Sequence, residues 1–272
     1  MVIRCIAVEM KKSLLSPASP ISAVLLPILF FMSPAGYDGT GRAFSVAEAA
    51  RDAFTGVRQG AEVSTEVLFL NCFSGWGLLL APVLLTAGTA LLVTEGQRTG
   101  ASMFTKVREG RTLYAFARAA GPLLAGGILL TAVSLLSFLV LSVLCPGFYA
   151  AERTEGAFFG LPASRAGFLV SLLLDSFLAG ILFSVPGTLA AAVFQDRYML
   201  LCLPFLITYA VRQVLLRLAM EGAVTFELYD LMDAAAHIGR GRPEGAAAAA
   251  ALALAGLLAS FLAWRAEAER RR

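Results

Sequence analysis

Few side chains in this chain are placed to do chemistry, and most of them fall in one stretch. Glu95–Arg111 reads EGQRTGASMFTKVREGR, with Glu95, Arg98, Lys106, Arg108, Glu109 and Arg111 as its charged members. Long apolar runs flank it on both sides. A structured, charged tip of this kind suits a protein that receives force or a signal from a soluble partner. Bond-making groups are scarce elsewhere. The single histidine, His237, excludes a zinc site of the HExxH type, and no GxxxxGK[ST] run offers an ATP site. Cys5, Cys72, Cys145 and Cys202 form no CxxC pair, which argues against a metal cluster or redox motif. No Ser-His-Asp arrangement can be assembled. The chain therefore carries no catalytic, metal-binding or cofactor-binding residue of its own. Cys72 and Cys145 both fall toward one membrane face, so a disulfide between them stays open, since spacing alone cannot supply the geometry.

Two further charges stand out by cost. Asp175 and Arg212 lie inside apolar runs, where a charge costs about 2.5–3.5 kcal/mol on insertion scales. Asp175 sits about 13 Å deep, counted at about 1.5 Å per residue. Arg212 sits about 9 Å from the same edge of a core about 30 Å thick. Their similar depth on consecutive spans predicts an ion pair facing the bundle interior. In the rival arrangement Arg212 snorkels outward and Asp175 lines a water-filled cavity. Arg118, one turn into its run, is expected to snorkel to the nearer surface.

The elements that position these groups follow from hydropathy. Of the 272 residues 58% are hydrophobic and 15% charged, against about 25% charged in soluble domains. Net charge is only +3, so nucleic acid is not an indicated partner. Six runs are expected to cross the bilayer: about 18–35, 67–94, 113–144, 167–194, 198–220 and 246–264. Most reach the roughly 20 residues a crossing helix needs. The first is short and has a second reading as a signal peptide. Residues 1–16 (MVIRCIAVEMKKSLLS) read as a basic amphipathic helix lying flat on the inner face, or as a frayed charged end. Ser45 and Glu48 have capping-box spacing at the head of a short outer helix. A second outer helix is expected at Phe226–His237. The fold class is thus an all-α polytopic membrane protein of the cell membrane. It is a single transmembrane domain over 1–272, with an N-terminal interface helix and both termini cytoplasmic.

Sidedness comes from the basic residues. Arg4, Lys11, Lys12, the bases of 95–111, Arg197 and the Arg265–Arg272 tail crowd the span ends on one side, which the positive-inside rule makes cytoplasmic. In the last span Ala247, Ala251, Ala255 and Ala259 recur every four residues. They form a small-residue face that lets another helix approach, or reflect simple alanine richness.

The pattern resembles the transmembrane subunit (permease) of an ABC-2 type transporter. The resemblance rests on EMKKSLLSPAS before the first span, and on a second span ending in Glu95-Gly96 followed by Arg98-Thr99-Gly100. It extends to the turn ending in Arg111 and to Arg118 early in the third span. The chain departs from that pattern where Glu109-Gly110 stands in place of a proline before Arg111. The resemblance implies that 1–16 is the interface helix and 95–111 the segment coupling to a separate ATPase subunit. It implies a second permease subunit, identical or related, and export as the direction. It implies no cofactor in this chain, with ATP bound by the partner. The competing readings are an ion-coupled carrier or channel using Asp175 and Arg212, and a membrane enzyme or accessory protein. No internal repeat of the kind common in carriers is evident.

Overall fold

The computed structural model describes residues 2–37, 41–57, 64–72, 76–98, 106–108, 110–145, 165–194, 196–220 and 243–270. Nearly all of these are helical. Three described helices are long and apolar enough to cross a bilayer, or four if a bent pair at the start is counted as one span. The chain is therefore a mainly helical membrane protein. The loops 146–164 and 221–242, with His237 and the expected Phe226–His237 helix, lie outside the described residues, as does Glu109.

The chain opens with α1 (Val2–Leu14) and α2 (Ala18–Phe31), which meet at a bend of 63°. Pro17 explains the break: proline cannot supply the next helical N–H and disfavours helix in the residue before it. The bend is stapled by serines. The Ser19 hydroxyl donates to the Ser13 carbonyl at 2.6 Å and lies 3.0 Å from the Ser16 hydroxyl. A carbonyl that the end of α1 leaves open is thereby satisfied.

Beyond α2, Pro34 ends helical structure and the chain forms a two-stranded antiparallel ribbon, β1 (Pro34–Tyr37) and β2 (Ala43–Ser45). The expected first span through residue 35 thus stops at Phe31, and the fold is not purely helical. At Gly36 a Cβ would meet the Phe44 ring at 3.0 Å, so any larger residue there would require the ring to shift. Helix α3 (Val46–Phe54) begins at Ser45 with the expected capping box. The Glu48 N–H donates to the Ser45 hydroxyl and the Ser45 N–H to the Glu48 carboxylate at 2.9 Å. The stretch expected as one span over 67–94 contains two helices, α4 (Thr65–Cys72) and α5 (Trp76–Arg98).

A core cluster gathers Leu26 and Phe30 of α2, Val46 and Ala49 of α3, Leu68, Phe69 and Cys72 of α4, and later residues of the bundle. Hydroxyls and an amide tie its backbone. Ser33 donates to the Cys72 carbonyl, Asn71 to that of Ala35, and Thr65 to that of Cys145. Where no water reaches, backbone groups outside helices must find such partners. Cys72 and Cys145 are both buried in this cluster and both are free thiols, so the disulfide left open by spacing is not formed.

Four long helices complete the bundle: α6 (Arg111–Leu144), α7 (Arg165–Val193), α8 (Arg197–Met220) and α9 (Pro243–Arg270). Helices α6 and α7 share the most extensive interface, built on glycine. A Cβ at Gly180 would stand 2.5 Å from the Gly126 carbonyl oxygen and 2.7 Å from the Gly127 Cα. Both obstacles are backbone, so neither can swing aside. In lipid, where burial of apolar surface gives helices no drive to associate, such close contact supplies the attraction. Gly180→Ala is expected to destabilise the solubilised protein by about 1–3 kcal/mol through overpacking. Leu174→Ala, at an exposed position of the same helix, is expected to change stability by under about 0.5 kcal/mol. Thermal unfolding in detergent measures both, and equal effects would rule out the glycine crossing.

Candidate functional site

One end of the bundle collects charge that the sequence scatters along the chain. The base of the site is Arg118 in α6. Its side chain is nearly buried, and its Nε lies 3.4 Å from a carboxylate oxygen of Glu9 in α1. Lys12 closes on the other Glu9 oxygen at 2.6 Å. Glu9 can reach Arg118 because α1 lies directly against α6 at Gly121, where a Cβ would come within 2.8 Å of the Glu9 Cβ. The guanidinium also stands 5.6 Å from the Tyr114 ring and 5.7 Å from the Trp264 ring of α9. Those two rings meet edge to face at 6.4 Å. Cation–π attraction strengthens where the cation is desolvated. Arg118 therefore does not snorkel as expected: α1 covers it and supplies a counter-charge on the spot.

A second ion pair lies on the same aromatic pair. Lys106, in a helical turn at 106–108, reaches the Glu267 carboxylate at 3.0 Å and sits 5.3 Å from the Tyr114 ring. Both partners are close to fully buried. Tyr114 is thus flanked by Arg118 and Lys106. Each cation is paired with an acid, Arg118 with Glu9 and Lys106 with Glu267, from opposite ends of the chain.

The turn carrying Lys106 is hinged to α6 by Gly110, whose φ of +81° favours glycine. The Gly110 N–H donates to the Lys106 carbonyl at 3.1 Å, and the Gly110 carbonyl accepts from the Tyr114 N–H at 3.0 Å. A proline at this position, fixed near φ −65°, could not make this turn. Of the other expected coupling residues, Glu95 is exposed near the end of α5, and Arg108 and Arg111 are exposed. Arg98 ends α5 with its side chain outside the described residues. The structure brings Lys106 into the ionic cluster and leaves Arg108 and Arg111 pointing outward.

The intramembrane pair is resolved on one side only. Asp175 is 4% exposed, and its Oδ1 has no hydrogen-bond partner among the described residues. Arg212 lies on α8, but its side chain is outside the described residues, so the expected pair is too. The alanine stripe sits on the opposite face of α9 from the one the chain packs. Ala251, Ala255 and Ala259 are exposed, and the side chain of Ala247 is outside the described residues. Inside the chain α9 packs through Ala253, Gly256, Ser260 and Trp264, with a Cβ at Gly256 only 2.5 Å from Val185. Among the described residues no group of three or more His, Cys, Asp or Glu could hold a metal ion.

Sequence reasoning passed over Glu9, Tyr114, Trp264 and Glu267. Two signals pointed to them: one acid in an otherwise basic helix, and a Trp and a Glu three residues apart on one face of the last helix. No protein-family model, curated protein or solved structure matches the chain.

The Glu9–Arg118 contact is expected to show a coupling of about 1–3 kcal/mol in a double-mutant cycle of Glu9→Gln and Arg118→Met, because the two charges share one desolvated site. Unfolding of the four proteins in detergent gives the cycle. Additive losses would mean the two side chains do not interact.

Proposed function

We propose that the chain is the membrane-spanning subunit of an ATP-driven exporter of the ABC-2 type, moved by a separate ATPase that docks on residues 95–111. The observation that carries this reading is the division of labour within that segment. Lys106 is buried and bolted to the bundle, whereas Val107, Arg108 and Arg111 project outward, Val107 with 86% of its surface exposed. A segment built this way can take a push on its outer face and pass it inward through its base. Helices α5 and α6 leave the segment as levers, and α1 and α9 are coupled to it through Glu9 and Glu267.

Other features support the same reading. With no phosphate-binding loop in this sequence, the ATP must be held by another chain. Both chain ends contribute to the junction, which favours an even number of crossings. Six crossings then assign α2, the α4–α5 stretch, α6, α7, α8 and α9. The bases Arg4, Lys11, Arg108, Arg111 and Arg270 are exposed, and their gathering near the junction favours a cytoplasmic junction in the cell membrane. A second permease subunit completes the transporter.

The ion-coupled carrier is a second reading, favoured by Asp175. A buried carboxyl with an oxygen unpartnered among the described residues offers a place for a proton or another cation to bind. Transport that follows a proton gradient without any ATPase would select it.

Two measurements test the exporter. Tagged protein taken from its native membrane is expected to bring down an ATPase, with recovery cut at least about tenfold by Arg108→Glu, a charge reversal at a docking contact. A cysteine placed at Val107 is expected to react with a membrane-impermeant maleimide only in inverted vesicles. Labelling of intact cells at that position would put the segment outside and end the proposal.

A further inference from the structure

The last helix does something its hydropathy does not require. Having run past the apolar stretch, α9 turns Arg265, Ala266, Glu269 and Arg270 outward but buries Glu267 and Ala268. A buried carboxylate is unfavourable unless a cation compensates it. The cation here is Lys106, 161 positions away in sequence, with its ammonium 3.0 and 3.2 Å from the two carboxylate oxygens. Lys106 in turn belongs to a helical turn that Gly110, at φ +81°, sets off from α6. Among the described residues, besides the hydrogen bond from Gly110 to its carbonyl, Lys106 meets the Glu267 carboxylate and the Tyr114 ring, itself packed on Trp264 of α9.

We propose that Glu267 is a positioning residue: it clamps the 106–108 turn to the final helix and so presents Val107 and Arg108 in a fixed attitude to the soluble ATPase. The identity of that partner rests on the exporter reading; the clamp itself does not. The physical gain is preorganisation. A docking turn already held in its bound attitude loses less conformational freedom on association, and affinity rises accordingly. The site suits a salt bridge because its partners are largely shielded from water, where a charge pair attracts more strongly than at an exposed surface. The carboxy-terminal helix thereby becomes a third member of the docking apparatus, beside the segment and α1.

The test uses the full-length chain with Cys5→Ser and Cys202→Ser, leaving Cys72 and Cys145 buried, and a nitroxide on Val107→Cys. With Glu267 intact the label is expected to report an ordered turn. Glu267→Gln is expected to mobilise it and to weaken binding of the co-purifying ATPase about tenfold, as loss of preorganisation predicts. Helix content should stay unchanged. Glu267→Asp, which keeps the charge with a shorter reach, should loosen the turn in part. The reversed pair, Lys106→Glu with Glu267→Lys, should restore both order and affinity, which a change in general stability would not do. An ordered label and full affinity in Glu267→Gln would overturn the clamp, as would a reversed pair no better than the single changes. A label that loosens as expected, in a chain that binds no ATPase, would support the clamp and sink the exporter reading.

Discussion

Charge withdrawn from water is the constraint around which one end of this molecule is arranged. Arg118 and Lys106 both lie against the Tyr114 ring, and a charge so removed from water is costly without a nearby acid. The acids come from the first and last helices. Glu9 therefore obliges α1 to lie on α6, and Glu267 obliges α9 to finish beside the 106–108 turn. Helix order at this end is thus set by a need for counter-charges as much as by apolar packing. The aromatic pair between them excludes water and so raises the strength of both contacts.

The middle of the bundle obeys a different rule. Here the helices are alike in greasiness, and closeness of approach decides which faces meet. Gly126, Gly127 and Gly180 allow α6 and α7 to touch backbone to backbone, and Gly256 lets Val185 of α7 settle into α9. Hydroxyls back-bonded to their own helices, such as Thr86 to the Pro82 carbonyl and Thr208 to that of Pro204, find their acceptors within the same helix. Other polar atoms in the interior, among them the Ser134, Ser137 and Ser260 hydroxyls and Asp175 Oδ1, have no hydrogen-bond partner among the described residues.

Much of this plan was legible in the sequence, and what was not has physical causes. Apolar runs of sufficient length announced the long helices, and Ser45 with Glu48 announced the start of α3, because both signals are local. The charged tip was equally visible. The clamp was not, since Lys106 and Glu267 acquire meaning only when α9 returns to the start of α6. Arg118 looked like a snorkelling residue because nothing in its neighbourhood along the chain revealed that Glu9 would cover it. The alanine stripe of α9 lies on the face that this chain leaves exposed. Its regular spacing is obvious on the page, yet the face the chain packs is the less regular one through Gly256, Ser260 and Trp264. The short ribbon at residues 34–45 was hidden by an apolar run that Pro34 ends early.

The serine staple at the first bend has a mechanical meaning. Ser13, Ser16 and Ser19 lock two short helices at 63° into something like a crank handle, one arm against the flank of α6 and the other upright in the bundle. A flexible joint there would let the first arm swivel idly. A stiff one would pass any tilt of that arm to the shaft, and Ser22, which donates to the Leu84 carbonyl at 2.6 Å, ties the shaft to α5.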